Sequence, residues 1–176
     1  HVLAYKAPLY GRRTAQMKIV PFDFDECCAY LRGLTDQDKA YIYGVVGGTP
    51  QYLLQMSDKL SVEENIKNTY LNPISFLYEE PMNLLKQEVR EPAIYNAIIT
   101  AVATGHSRMS EISTKVGEST TVCSGYLKNL IELGIIKKET PYGEKVSRKS
   151  IYSIEDNMFY FWYRFVLDNV SVIARG

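Results

Sequence analysis

Histidine, cysteine and tryptophan are scarce in this chain of 176 residues: two, three and one. His1 and His106 lie far apart, and no second cysteine pair accompanies Cys27 and Cys28, so nothing offers the ligand spacing of a zinc site. The cysteine count is odd and neighbouring cysteines do not readily bridge each other. A disulfide framework is therefore excluded, and a reducing, cytoplasmic compartment with buried, inert thiols is expected. No run reaches the ~18 apolar residues of a membrane-spanning helix; the longest aromatic stretch, 158–167, is interrupted by Arg164. No signal peptide precedes the first element. An excess of one charge is missing as well. Lys plus Arg equals Asp plus Glu at 20 each, so no global field draws the chain to nucleic acid, and any basic patch must be local. No Gly-x-Ser-x-Gly elbow occurs. The acid pairs Glu63-Glu64 and Glu79-Glu80 are sequence neighbours that point apart on a helix, which excludes them as paired acid and base. His106 reads as a solvated loop residue.

What the chain does have is a 46% apolar composition, enough for a true core. Ala15 to Val20 alternates and predicts a short strand ended by Pro21. Asp23 with Glu26, and Ser61 with Glu64, are spaced as capping boxes. Thr35 is placed to cap a helix that Gly47-Gly48 ends. Thr49-Pro50 restarts a helix with proline at its first turn, where the missing N–H costs nothing. Residues 74–89 read as helical, bent or divided near Pro81. Asp156 can cap a last helix, 158–168, apolar almost all round and hence buried.

Residues 92–154 spell a winged helix-turn-helix. Three helical stretches begin at Pro92, Met109 and Thr120, and two β-rich runs, 135–139 and 149–154, close the unit. In the third helix Val122, Tyr126, Leu127, Leu130 and Ile131 recur at helical spacing and are expected to face the core. Thr120, Thr121, Ser124, Lys128 and Asn129 fall on other faces. Short polar residues near the start of a recognition helix can approach base edges and phosphates, and the helix N-terminus itself favours an anion. Gly125 would let a backbone come close. The wing is locally basic, with Lys137, Lys138, Lys145, Arg148 and Lys149 against Glu139 and Glu144, and phosphates bind such a loop by charge without sequence readout. The candidate DNA-binding set is Thr120, Thr121, Ser124, Lys128, Lys145, Arg148 and Lys149.

An ordered series of short motifs carries a family resemblance: Pro8-Leu-Tyr-Gly-Arg-Arg-Thr14, Ile19-Val-Pro-Phe22, Gly47-Gly-Thr-Pro-Gln-Tyr-Leu53, Glu80-Pro-Met-Asn-Leu-Leu85 and Phe161-Trp-Tyr-Arg-Phe165. Together they resemble the archaeal-type ATPases, AAA-like P-loop proteins with a helical lid, a winged helix and a nuclease-like C-terminal domain. The resemblance implies that Gly48 and Pro50 lie against a bound adenine and that Arg12 or Arg13 senses phosphate. It implies ATP and Mg²⁺ for the parent protein. The chain departs from the family in having no Gly-x-x-x-x-Gly-Lys-[Ser/Thr], so it holds no phosphate cradle and no catalytic residue of its own for ATP hydrolysis.

The sequence therefore predicts a mainly α fold: a small helical lid domain followed by a winged helix-turn-helix with a two-stranded wing. Residues 1–22 read as a remnant of the P-loop core, 23–91 as the lid, 92–156 as the winged helix and 157–176 as the start of a truncated C-terminal domain. The expected partners are double-stranded DNA and the parent's own P-loop core and C-terminal domain, with no membrane. An aromatic face bared at 161–165 offers a homodimer contact. Two other readings stay open: a stand-alone winged-helix regulator, and a protein-interaction module that binds no DNA.

Overall fold

In a computed structural model, residues 17, 19–141 and 150–175 are described. Polar side-chain caps start half of the described α-helices. Asp23 and Glu26 form the expected capping box for α1 (Phe24–Tyr30), and Ser61 and Glu64 do so for α4 (Val62–Thr69). Thr35 caps α2 (Asp36–Val46) by accepting from the Asp38 N–H. Pro50 occupies the first turn of the short α3 (Pro50–Leu53). Asn65, buried in α4, spends every polar atom on the loop before it: its Oδ1 accepts from Ser57 N–H at 2.7 Å, and its Nδ2 donates to the carbonyls of Ser57, Leu60 and Ser61.

Helix α5 (Phe76–Glu88) runs through Pro81 undivided, so of the bend or break expected there the break does not occur. Proline at that position leaves the Leu77 carbonyl without its helical donor. The disturbance is absorbed by packing: Pro81, Leu77 and Leu85 are buried, and the neighbouring Tyr78 carbonyl accepts from the buried Trp162 indole at 2.7 Å. The expected strand at 15–20 is not seen among the described residues. Met17, Ile19 and Val20 carry no regular structure and are exposed, and the described residues supply no strand to pair with them. A lone extended segment has no ladder to stabilise it.

The winged helix-turn-helix follows: α6 (Pro92–Ala103), α7 (Met109–Val116) and α8 (Thr120–Glu132), then β1 (Ile136–Glu139) and β2 (Ile151–Ile154). The strands pair antiparallel, Ile136 opposite Ile154 and Glu139 opposite Ile151. The Tyr152 N–H donates to the Ser107 carbonyl at 2.7 Å and the Glu155 N–H to the Ile135 carbonyl at 2.8 Å, pinning the wing to the helices. His106, expected to be solvated, is half-buried with Nδ1 3.2 Å from the Ala101 carbonyl.

After the wing the chain stays helical but changes pitch. Asp156 caps α9 (Asn157–Phe161) through the Phe159 N–H at 3.1 Å; a π-helical turn (Trp162–Val166), a 3₁₀ turn (Leu167–Asn169) and α10 (Val170–Ile173) follow. This stretch is not buried all round: Met158, Phe159, Trp162, Tyr163 and Val166 are inside, whereas Tyr160 and Phe165 are exposed. Its buried side fills the space between α2, α5 and α6. Tyr163 Oη donates to Asn96 Oδ1 at 2.8 Å, Tyr78 Oη to the Val170 carbonyl at 3.2 Å, and α9 lies along α2. One continuous apolar core therefore runs from Cys27 through Leu53, Leu77 and Ile98 to Val166. No described helix is long and apolar enough to cross a membrane.

Candidate functional site

Helix α8 turns toward the core the face its spacing suggested, but narrower than expected. Cys123, Leu127 and Leu130 are the buried residues, at i, i+4 and i+7. Val122 and Ile131, both expected inside, are 38% exposed. At about 100° per residue Val122 and Ile131 fall at the two edges of this face, on either side of Cys123, Leu127 and Leu130. The packing against α6, α7 and β1 closes over its centre, and burial pushes the Cys123 thiol up.

The solvent face of α8 then presents Thr120, Thr121, Ser124 and Lys128, all exposed. Ser119 caps the helix through the Val122 N–H at 3.3 Å, and no acid stands in the first turn, so the N-terminus keeps its attraction for an anion. Gly125 lies at the middle of this face with nothing within 4 Å of where a Cβ would be. A groove of about 570 Å³ runs here, lined by Thr121, Val122, Gly125, Tyr126, Lys128 and Asn129. It meets a second cavity of about 330 Å³ at Tyr126 and Asn129, reaching the chain between α5 and α6. There Tyr126 Oη donates to Glu91, Asn129 Nδ2 donates to Tyr95 Oη at 2.6 Å, and the two tyrosine rings meet edge to face at 4.8 Å. The Glu91 carboxylate holds the Tyr126 hydroxyl up to about 12.

Among the described residues, two of the lysines on this side lie near an acid. Lys128 has Glu132 3.9 Å away, and Lys137 pairs with Glu139 at 3.1 Å. Lys138 sits over the Tyr152 ring, 5.9 Å from its centroid. The second cavity is lined by Glu88, Glu91 and Glu132 against Arg90 alone. The remaining wing residues of the candidate set, Lys145, Arg148 and Lys149, lie outside the described residues, as do Arg12 and Arg13.

Gly48 and Pro50, the other pair singled out, are separated by burial. Pro50 is exposed, while Gly48 is buried beneath the backbone of Phe22, whose N–H donates to the Gly48 carbonyl at 2.9 Å. A cavity of about 290 Å³ opens beside this turn, lined by Phe22, Asp23, Tyr43, Thr49, Gly134, Glu155, Asp156 and Asn157 among others. It contains three acids and no described cation, a lining that repels phosphate. No group of three or more His, Cys, Asp or Glu among the described residues is placed to hold a metal ion. The triphosphate and Mg²⁺ of a nucleotide thus do not fit this acidic lining. Burial drives up the Asp156 carboxyl at the cavity wall, against the lowering effect of its bonds from the Phe159 and Met158 N–H groups.

Sequence reasoning missed the tyrosine and asparagine pairings that organise the α8 groove. Tyr95–Asn129 and Glu91–Tyr126 join residues 34 and 35 apart, so no local spacing marks them.

No family model matches the chain. An uncharacterized protein of Methanocaldococcus jannaschii is 36% identical to it over 176 residues, which is 99% of this chain and 40% of that protein. Among solved structures, a Walker-type ATPase of Pyrococcus abyssi superposes with a TM-score of 0.65 at 22% identity, over 93% of this chain and 48% of that one. The chain shares the fold of part of that protein. It spans less than half the length of either relative.

Proposed function

We propose that this chain is the lid and winged-helix part of a Walker-type ATPase, and that α8 and the wing form its contact with duplex DNA. The observation that carries the reading is the fold shared over nearly the whole chain with the Pyrococcus abyssi ATPase. The ordered motifs at Pro8–Thr14, Gly47–Leu53 and Phe161–Phe165 agree with it. ATP and Mg²⁺ would be held by a P-loop core outside this chain, with Arg12 or Arg13 near phosphate and the Thr49–Pro50 edge against the base. The lid transmits the nucleotide state, and the winged helix is the output arm.

For DNA, support comes from the open, capped N-terminal half of α8, where Thr120, Thr121 and Ser124 stand unobstructed. Gly125 supports it too. A glycine inside an exposed helix costs up to about 1 kcal/mol against alanine, and nothing among the described residues needs the space. Anisotropy of a labelled duplex with the parent protein, with and without ATP, tests the reading. Binding that weakens steeply with salt and shifts with nucleotide is expected. Absence of binding at low salt in both states would sink it.

A second reading, a protein-docking module without DNA binding, is favoured by the acids Glu88, Glu91 and Glu132 flanking the α8 groove. Carboxylates there would face the phosphates of a duplex lying along the whole helix. A partner protein recovered with the parent, and released by Thr121→Glu while DNA is never bound, would select this second reading.

A further inference from the structure

Gly47 and Gly48 join three parts of the molecule that are distant in sequence. Gly47 ends α2 with φ 66° and ψ −156°, a conformation that strains any residue with a side chain, and a Cβ there would touch Asn157 at 3.6 Å. Gly48 is constrained by contact rather than by dihedral. A Cβ on it would lie 1.8 Å from the Phe22 carbonyl oxygen, 2.6 Å from its carbon and 2.7 Å from its nitrogen. These are all backbone atoms, so no side-chain rotation relieves the clash. On the opposite side Asn157 Nδ2 donates to the Tyr43 carbonyl at 2.8 Å, the same carbonyl that accepts from the Gly47 N–H at 2.8 Å. The extended segment before α1, the last turn of α2 and the first turn of α9 are therefore clasped at one point. From α9 the path continues through Tyr163 to Asn96 on α6.

We propose that this clasp couples the segment 19–22 to α9, so that displacement of that segment loosens or shifts the helix on which the winged unit rests. Its two halves are the Phe22–Gly48 backbone bond and the Asn157–Tyr43 bond, and neither holds well without the other. The clasp lies wholly within this chain and needs neither ATP nor DNA, so its failure would leave the functional reading above untouched.

Amide hydrogen exchange on the 176-residue chain tests it. In Gly48→Ala the Phe22 amide should exchange faster by roughly fivefold or more, the worth of one hydrogen bond. The amides of 158–161 should accelerate with it, while those of α7 and α8 keep their rates. Release of Phe22 with α9 unchanged would overturn the proposal. Should Gly48→Ala fail to fold, Asn157→Ala decides. It removes only the Tyr43 bond, and faster exchange at Phe22, which Asn157 does not bond, is the expected result; an unchanged Phe22 amide overturns the coupling.

Discussion

Asp156 does two jobs that pull its pKa in opposite directions. It caps α9, which favours the carboxylate, and it is buried, which disfavours it; burial wins and the folded-state pKa lies above the ordinary aspartate value. The folded chain then holds this proton more tightly than the unfolded chain. Stability is greater below the unfolded pKa and is lost as pH rises through the raised folded one. Asparagine in its place would still accept the cap bond but carry no charge. Asp156→Asn should therefore remove a downward slope of thermal stability with rising pH just above the aspartate range, measured as the difference in Tm between the two proteins. Asp156→Ala should cost about 1 kcal/mol from the lost cap at any pH. A second residue argument concerns Gly125. With open space beyond its α-carbon, Gly125→Ala should raise the unfolding free energy by up to about 1 kcal/mol. If the proposed DNA contact is made there, the same substitution weakens duplex binding. Opposite movement of the two readouts is the expected signature, and loss of stability would mean that the space is not open.

At the scale of the element, α8 and α5 show how packing refines local pattern. Leu127 and Leu130 are fully inside, so truncating either to alanine should cost about 2–5 kcal/mol. Val122, also in the sequence-derived stripe, is partly exposed, and Val122→Ala should stay within about 0.5–1 kcal/mol by urea denaturation. A large loss at Val122 with little at Leu127 would mean that Val122, and not Leu127, faces the core. The caps, by contrast, were readable directly: Asp23, Thr35, Ser61 and Asp156 each accept the bond their spacing announced. Such bonds close within four residues, and no other part of the chain can interfere. In α5 the proline is accommodated in the core with Leu77 and Leu85, and the helix is tied there by Trp162, which donates to the Tyr78 carbonyl from 84 residues away.

For the whole molecule, the helical run after the wing joins the helices α1–α5 to the winged helix. Trp162 is its anchor and the chain's one tryptophan, buried with its indole N–H spent on α5. Trp162→Phe takes the indole donor from the Tyr78 carbonyl and leaves a small void, and should destabilise the whole chain by about 1–3 kcal/mol. A single cooperative transition, followed by far-ultraviolet circular dichroism, is expected. Two separated transitions would show that the core is not shared. Residues 157–176 were expected to start a truncated C-terminal domain. The buried side of 157–173 lies in the same core as α2, α5 and α6, and its exposed side carries Phe165 and Tyr160.

The helix starts, the order of helices and wing strands, the thiols without partners, and the resemblance that suggests an ATPase parent were all legible in the order of residues. Each of these rests on contacts between near neighbours or on residue types in series. Packing across the fold settled that Val122 and Ile131 at the edges of the α8 stripe stay partly exposed, that Gly48 lies under the Phe22 backbone, that Tyr126 and Asn129 are tied to Glu91 and Tyr95, and that the last helical run lies in the same core as the helices α1–α5 and the winged helix. Those outcomes depend on surfaces brought together from tens of residues apart, where volume and hydrogen-bond satisfaction select among patterns that are equally good locally.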